Sequence, residues 1–257
     1  MDLGLKGKIA VITGGSDGIG RATAILLARE GAKVAICARG EEKLNATAAE
    51  IKKFGGEVLA VSADMFKSED IVRLFDTVIK HWGSVDILVN NAGTSQRGNF
   101  LEISDQQWHD DIELKVFGAI RCTRLAIPHM KKRGGGRIIN ITISSAKQPG
   151  AGSMPTSMSR AAGLVLTKSL SKEYAPDNIL VNTVCIGKIK SGQHDRRMVR
   201  ESRSPEKYYN DESKQIPMGR FGEAEEAASA IVFLASSAAS YVTGTSINLD
   251  GGMSGVL

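Results

Sequence analysis

A glycine-rich stretch, Thr13-Gly14-Gly15-Ser16-Asp17-Gly18-Ile19-Gly20, directly follows the apolar run Ile9–Thr13 and opens the helical-period segment Arg21–Glu30. Glycines there let the backbone turn tightly and bring N–H groups to a helix N-terminus, where the helix dipole favours an anion. Glycine in a loop alone is a weak signal. A strand before it and a helix after it make the signal specific, and predict a β-turn-α unit that cradles a phosphate group.

The rest of the chain repeats that alternation. Apolar runs at Ile9–Thr13, Lys33–Cys37, Val58–Val61, Ile87–Asn90, Arg137–Ile143, Leu180–Cys185 and Ser246–Leu249 read as strands, with helical-period segments between them. Helix punctuation agrees: Ser68 precedes Glu69 and Asp70, Ser104 and Gln107 have capping-box spacing, Ser204-Pro205-Glu206 reads as a helix start, and Gly31 and Gly55 close helices. With 257 residues, 42% of them hydrophobic, there is enough apolar material to cover both faces of a parallel sheet. The expected fold is α/β: a single doubly wound Rossmann domain over 1–257, with a seven-stranded parallel sheet flanked by helices.

Several function classes are disfavoured. Cys37, Cys122 and Cys185 are widely separated, with no Cys-x-x-Cys pair or histidine cluster, so neither a disulfide framework nor a metal site is expected. No apolar run reaches 18 residues and the N-terminus lacks a signal-peptide pattern, so a cytoplasmic protein without membrane attachment is expected. The net charge of +5 raises nucleic acid as a partner. Yet Lys131-Lys132-Arg133 precedes glycines, as at a helix C-terminus, and 5% aromatics provide no platform for stacking bases, so no nucleic-acid role is expected.

The first turn resembles the signature of the short-chain dehydrogenase/reductase family, Thr-Gly-x-x-x-Gly-x-Gly. A second family signature stands as Asn90-Asn91-Ala92-Gly93 after the fourth strand, and Asp64 follows the third strand, where the family contacts adenine. Gly187, Ile189 and Ser191 after the sixth strand and the ending Thr243–Gly252 also match, so the resemblance covers essentially the whole chain. It implies a dinucleotide held by Gly14, Ser16, Gly18, Ile19, Gly20, Asp64, Asn91, Ala92, Gly93, Gly187, Ile189 and Ser191, a mobile substrate lid at 187–219, a small-molecule substrate, and a homodimer or homotetramer. At the end of the second strand, an acid would hydrogen-bond the ribose and repel a 2′-phosphate; this chain has Ala38-Arg39, which favours NADP(H) over NAD(H).

The resemblance breaks at the chemistry. The family carries a Tyr-x-x-x-Lys pair, a serine about thirteen residues earlier and an asparagine on the preceding long helix. Here the corresponding positions hold Thr156, Arg160, Ile143 and Lys115, with Ser144 and Ser145 beside Ile143. A threonine hydroxyl is a poor proton donor and arginine does not titrate usefully. Lys115 is the one group whose pKa burial and a neighbouring cation, Arg160, can bring toward neutrality. The expected catalytic set is Lys115, Ser144, Thr156 and Arg160, with Arg160 also reaching the cofactor. Three readings follow: an NADP(H)-dependent oxidoreductase acting on a carbonyl or alcohol with a non-tyrosine proton donor; a non-redox isomerase or lyase using Lys115; and a catalytically silent dinucleotide-binding protein.

Overall fold

A computed structural model of the protein describes residues 2–256. Strands β1 (Ile9–Thr13), β2 (Lys33–Ala38), β3 (Val58–Ser62), β4 (Ile87–Asn90), β5 (Gly136–Ile143), β6 (Ile179–Ile186) and β7 (Ser246–Leu249) form one sheet in the order β3-β2-β1-β4-β5-β6-β7. Every pairing is parallel. The Rossmann-type sheet is thus the expected one. Several strands run slightly beyond the apolar pattern, because the ladder pairs Ala38 with Ser62 and Gly136 with Ile179 whatever their side chains.

Parallel sheets are covered on both faces, so alternate residues of one strand enter different cores. Ala10 and Ile12 of β1 pack with Ile25 and Leu27 of α1 (Gly18–Arg29) and Ile231 of α9 (Ala224–Ala235). Ile9 and Val11 pack on the other side with Leu74 and Phe75 of α3 (Ser68–Trp82) and Met130 of α5 (Gly118–Lys132). Each fully buried side chain such as Leu27 contributes about 1.5–3 kcal/mol. The remaining helices are α2 (Glu41–Lys53), α4 (Asp105–Ile112), α6 (Thr156–Tyr174), α7 (Gly192–Arg200) and α8 (Pro205–Ser213). Among the described residues no helix is long and apolar enough to cross a membrane.

Ser104 and Gln107 form a reciprocal capping box at α4, and the Ser204 hydroxyl accepts the Lys207 N–H, with Pro205 opening α8. Ser68 behaves differently from its expected capping role. Lys67 occupies the cap position, Ser68 is the first helical residue, and its hydroxyl turns to the Glu69 carboxylate at 3.3 Å. Asp70, inside the first turn, reaches back to the Asp64 N–H at 2.9 Å and ties the end of β3 to the helix.

Two features position the site. Strand order reverses between β1 and β4, so the loops leaving their C-terminal ends diverge and open a crevice. Between α4 and α5 the helix widens into a π-type turn, Glu113–Phe117, which carries Lys115 inward. Beneath lies a buried polar row: Asn90 donates to Asn140 at 2.9 Å, Asn140 to Thr167 at 2.9 Å, and Thr167 meets Thr183 at 2.6 Å.

Candidate active site

The glycine loop is built as a cradle. A Cβ on Gly20 would stand 2.1 Å from the Gly14 carbonyl oxygen and 2.5 Å from the Asn91 amide, so only glycine allows this approach. Asn91 Nδ2 donates to the Thr13 carbonyl at 2.9 Å and the Gly14 carbonyl at 3.1 Å, while the N–H groups of Asn91 and Ala92 both donate to Thr13 Oγ1 at 3.0 Å. Asn91 and Ala92 therefore support the loop from behind. The first-turn N–H groups of α1 have no intrahelical partner. Asp17 Oδ1 accepts that of Gly18 at 2.8 Å, and those of Ile19 and Gly20 take no hydrogen bond among the described residues.

Further along the crevice, the segment after β6 passes directly over the cradle. A Cβ on Gly18 would lie 3.2 Å from Ser191 Cβ, Gly187 abuts Asp250, and buried Ile189 pairs with Gly222. Gln193 Nε2 donates to the Gly93 carbonyl at 3.2 Å. After β3, Asp64 accepts the Phe66 N–H at 3.1 Å, and Arg39 is exposed at the end of β2. Lys43 bonds Asp17 Oδ2 at 3.0 Å. Partial burial works to raise the Asp17 pKa, but Lys43 and the Gly18 N–H outweigh it and hold the carboxyl below its usual range. Without Lys43, Asp17 would keep only the Gly18 N–H and the charge of Arg196 against its negative charge beside the cradle.

At the opposite end, Lys115 and Asp111 form an ion pair with both side chains 1% exposed. The Thr156 hydroxyl accepts from Lys115 Nζ at 2.8 Å and from the Gln96 N–H at 2.8 Å, and donates to Asp111 Oδ1 at 3.2 Å. Ser159 Oγ donates to Asp111 Oδ2 at 2.5 Å. One carboxylate thus gathers three donors, and the threonine hydroxyl is saturated. Burial and then Arg160 push the Lys115 pKa down to about 8, against the opposing pull of Asp111. Burial pushes Arg160 down to about 10, which still leaves it charged at neutral pH. Its Nη1 donates to the Ile141 carbonyl at 2.6 Å, its Nε has no partner, and it fits because a Cβ on residue 93 would lie 2.3 Å from Nη2. A cavity of about 20 Å³, room for one water, lies between Lys115, Ser159, Arg160 and Asn90.

A family model described as enoyl-(acyl carrier protein) reductase matches residues 14–254. The chain is 37% identical over 254 residues to a 3-oxoacyl-(acyl-carrier-protein) reductase of Aquifex aeolicus, covering 98% of this chain and 100% of that one. Among solved structures, the L-sorbose reductase of Gluconobacter frateurii, in complex with NADPH and L-sorbose, superposes with a TM-score of 0.96 at 36% identity and full coverage of both chains. A short chain oxidoreductase of Pseudomonas aeruginosa PAO1, bound to NADPH and described as containing an atypical catalytic center, gives 0.91 at 35% identity, covering 97% of this chain and 98% of that one. The chain belongs to the short-chain dehydrogenase/reductase family.

Within this family member, the fold brings Lys115, Thr156 and Arg160 together at one end of the crevice. Ser144 is half-buried in the turn after β5 and its hydroxyl makes no hydrogen bond among the described residues; it is Ser145 that meets Ser157, at 3.1 Å. The sequence reading missed Asp111 and Ser159. Asp111 stands four residues before Lys115, a spacing that reads equally well as a surface ion pair. His194, in the segment after β6, is paired: its Nδ1 lies 2.8 Å from the phenol of buried Tyr208, in a small cluster with Phe221.

Proposed function

We propose that the chain is an NADP(H)-dependent oxidoreductase that interconverts a carbonyl and an alcohol, with Lys115 in place of the family's tyrosine as the proton donor. The observation that carries this reading is the buried Lys115 ammonium, held by Asp111 and Thr156 and brought to a pKa of about 8, at the reacting end of the crevice. Two NADPH complexes among close structural relatives support the cofactor. So does the cradle at Gly14, Ser16, Gly18, Ile19 and Gly20, with Arg39 exposed where a 2′-phosphate would lie.

Bound there, the dinucleotide supplies a hydride from C4 of its nicotinamide to the carbonyl carbon. The residues of the chain do the rest. Lys115 gives one proton to the carbonyl oxygen as the alkoxide forms, and it regains that proton from solvent through the water-sized cavity beside Ser159. Arg160 contributes positive charge at the oxygen and reaches the ribose side. Thr156, with its hydroxyl saturated, orients Lys115, and Gln96 fixes Thr156 in turn. Asp111 keeps the ammonium charged despite its burial. That pairing favours proton donation over Schiff-base chemistry, which needs a neutral amine free to attack, and so argues against the isomerase or lyase reading.

The segment 187–219 acts as a lid over a small-molecule substrate, within one functional unit spanning 1–257. Met198 of α7 and Tyr208 of α8 cluster with Ile216 and, just past the segment, Phe221, apart from the main core. Exposed Phe117 and Val165, on the helical layer that includes α6, support self-association into a homodimer or homotetramer. The deciding test is absorbance-monitored NADPH oxidation against a broad carbonyl panel. Turnover in the parent that is lost in Lys115→Met supports the reading. No turnover, with intact NADPH binding, would leave the silent binding protein in its place.

A further inference from the structure

The reacting end of the crevice holds more positive charge than the chain itself neutralises. Lys115 and Arg160 form its floor, and the carboxylate facing them, Asp111, is already engaged by three donors. Arg97 stands at the rim: its backbone pairs with Pro155, and the neighbouring Gln96 bonds Thr156, so the loop is stapled beside the Lys115 network. The Arg97 guanidinium makes no hydrogen bond and no ion pair among the described residues. Across from it, on α7, Arg197 is turned toward Glu201 at 2.6 Å. Arg97 is exposed, yet partial desolvation and then the charge of Arg197 push its pKa down, and its own charge reaches Lys115. An exposed arginine left without a protein partner beside Arg197 and Lys115 keeps its N–H groups in water, free to take an anion that arrives from outside.

The cofactor does not supply that anion at this end. Its phosphates belong at the glycine loop, and oxidation makes the nicotinamide ring cationic, which enlarges the local surplus during reduction. A negative group on the substrate offsets both.

We infer that the substrate is a carbonyl compound, or the corresponding alcohol, that carries a carboxylate, and that Arg97 receives this carboxylate at the rim while its carbonyl faces Lys115. The planar guanidinium offers two parallel N–H groups to the two carboxylate oxygens, which fixes the distance between the anion and the reacting carbon. The crevice, walled by low-dielectric protein, also draws anions in by focusing the field of its cations. The identity of the reacting group rests on the oxidoreductase reading above; the anion contact does not.

Two measurements separate these. The first compares kcat/KM for oxo acids, their methyl esters and phosphorylated carbonyl compounds, in the parent and in Arg97→Gln. Acids are expected to exceed their esters by at least ten-fold, with the ratio collapsing in Arg97→Gln and partly returning in Arg97→Lys. Esters equal to acids in the parent, a preference kept in Arg97→Gln, or phosphorylated compounds favoured over carboxylates each overturn the inference. The second measurement needs no turnover: calorimetric titration of the NADPH-loaded protein with oxamate and with the neutral oxamide. Oxamate binding at least ten-fold tighter than oxamide, lost in Arg97→Gln, supports the contact even if no carbonyl is reduced, in which case only the oxidoreductase reading fails. Equal binding of the two, or binding indifferent to residue 97, refutes the contact while leaving redox activity on neutral carbonyls intact.

Discussion

Asp111 and Lys115 form a buried ion pair across the widened turn between α4 and α5, at a position where both side chains are almost fully removed from water. The pair lets a lysine sit in a space too dry for an isolated ammonium and still carry a proton. Removing either partner strands the other, because desolvation of an unpaired charge costs more than the pair gains.

Asp111→Asn is expected to lower folding stability by up to about 3 kcal/mol, moderated because Lys115 escapes the penalty by losing its proton. It should also move the lysine pKa further down. Denaturant unfolding, together with the pH profile of NADPH oxidation, checks both effects; a simple structural role for Asp111 would move the first and leave the second unchanged.

With Lys115 as the proposed proton donor, reduction needs it protonated, so kcat for reduction should hold below pH 8 and fall as pH rises through about 8, the folded value. Alcohol oxidation needs the neutral amine and should rise over the same range. Lys115→Met is expected to lower kcat by roughly 10²–10⁴-fold, the usual contribution of a positioned acid. A raised KM with unchanged kcat would mean that Lys115 binds substrate without passing a proton.

The same lysine gives a stability signature. Its folded pKa, about 8, lies below the ordinary 10.5, so between those values the unfolded chain binds more protons than the folded one. Stability contributed through Lys115 therefore increases as pH rises through that window, and the penalty is fully present below pH 8. Subtracting the pH–stability curve of Lys115→Met from that of the parent should reveal this rise; a flat difference would contradict it.

Arg39→Asp should cost NADPH binding on the order of 1.5–3 kcal/mol, the worth of a charge-assisted phosphate contact, and bring NADH level or ahead. Lys43→Ala should act in the same direction by removing the ion-pair partner of Asp17 beside the cradle. Equal affinity of the parent for the two cofactors, measured calorimetrically, would contradict the assignment of Arg39.

Restoring the family pair, with Thr156→Tyr and Arg160→Lys, should not produce an ordinary reductase. A phenol at 156 displaces the hydroxyl that joins Gln96, Lys115 and Asp111, and overpacking of that kind costs about 1–3 kcal/mol. High carbonyl-reductase activity in the double variant would show that Lys115 and Asp111 are bystanders.

Much of the architecture could be read from the residues because the signals were local. Ile9–Thr13 followed by glycines fixes a strand, a turn and a helix within a few residues, and the Ser104–Gln107 spacing fixes a cap. Ser68 misled because Asp70, two residues on, competes for the same end of the helix by reaching the Asp64 N–H. Asp111 and Ser159 stayed hidden for a different reason. Their importance lies in a meeting of α4 and α6 that depends on where the turn at Glu113–Phe117 widens, and residue types alone do not register that rotation.

The grip of Asn91 on Thr13 and Gly14 lies at the seam between β1 and β4, where the strand order reverses. In the proposed mechanism one end of the crevice holds phosphate and the other handles the proton, and this seam sets the spacing between them. A loosened seam would leave a protein that folds and still captures its dinucleotide, yet misaligns hydride and proton at the carbonyl. Since a misplacement of about 1 Å can cost two orders of magnitude in rate, damage there would register as lost catalysis in a molecule that passes every test of binding and stability.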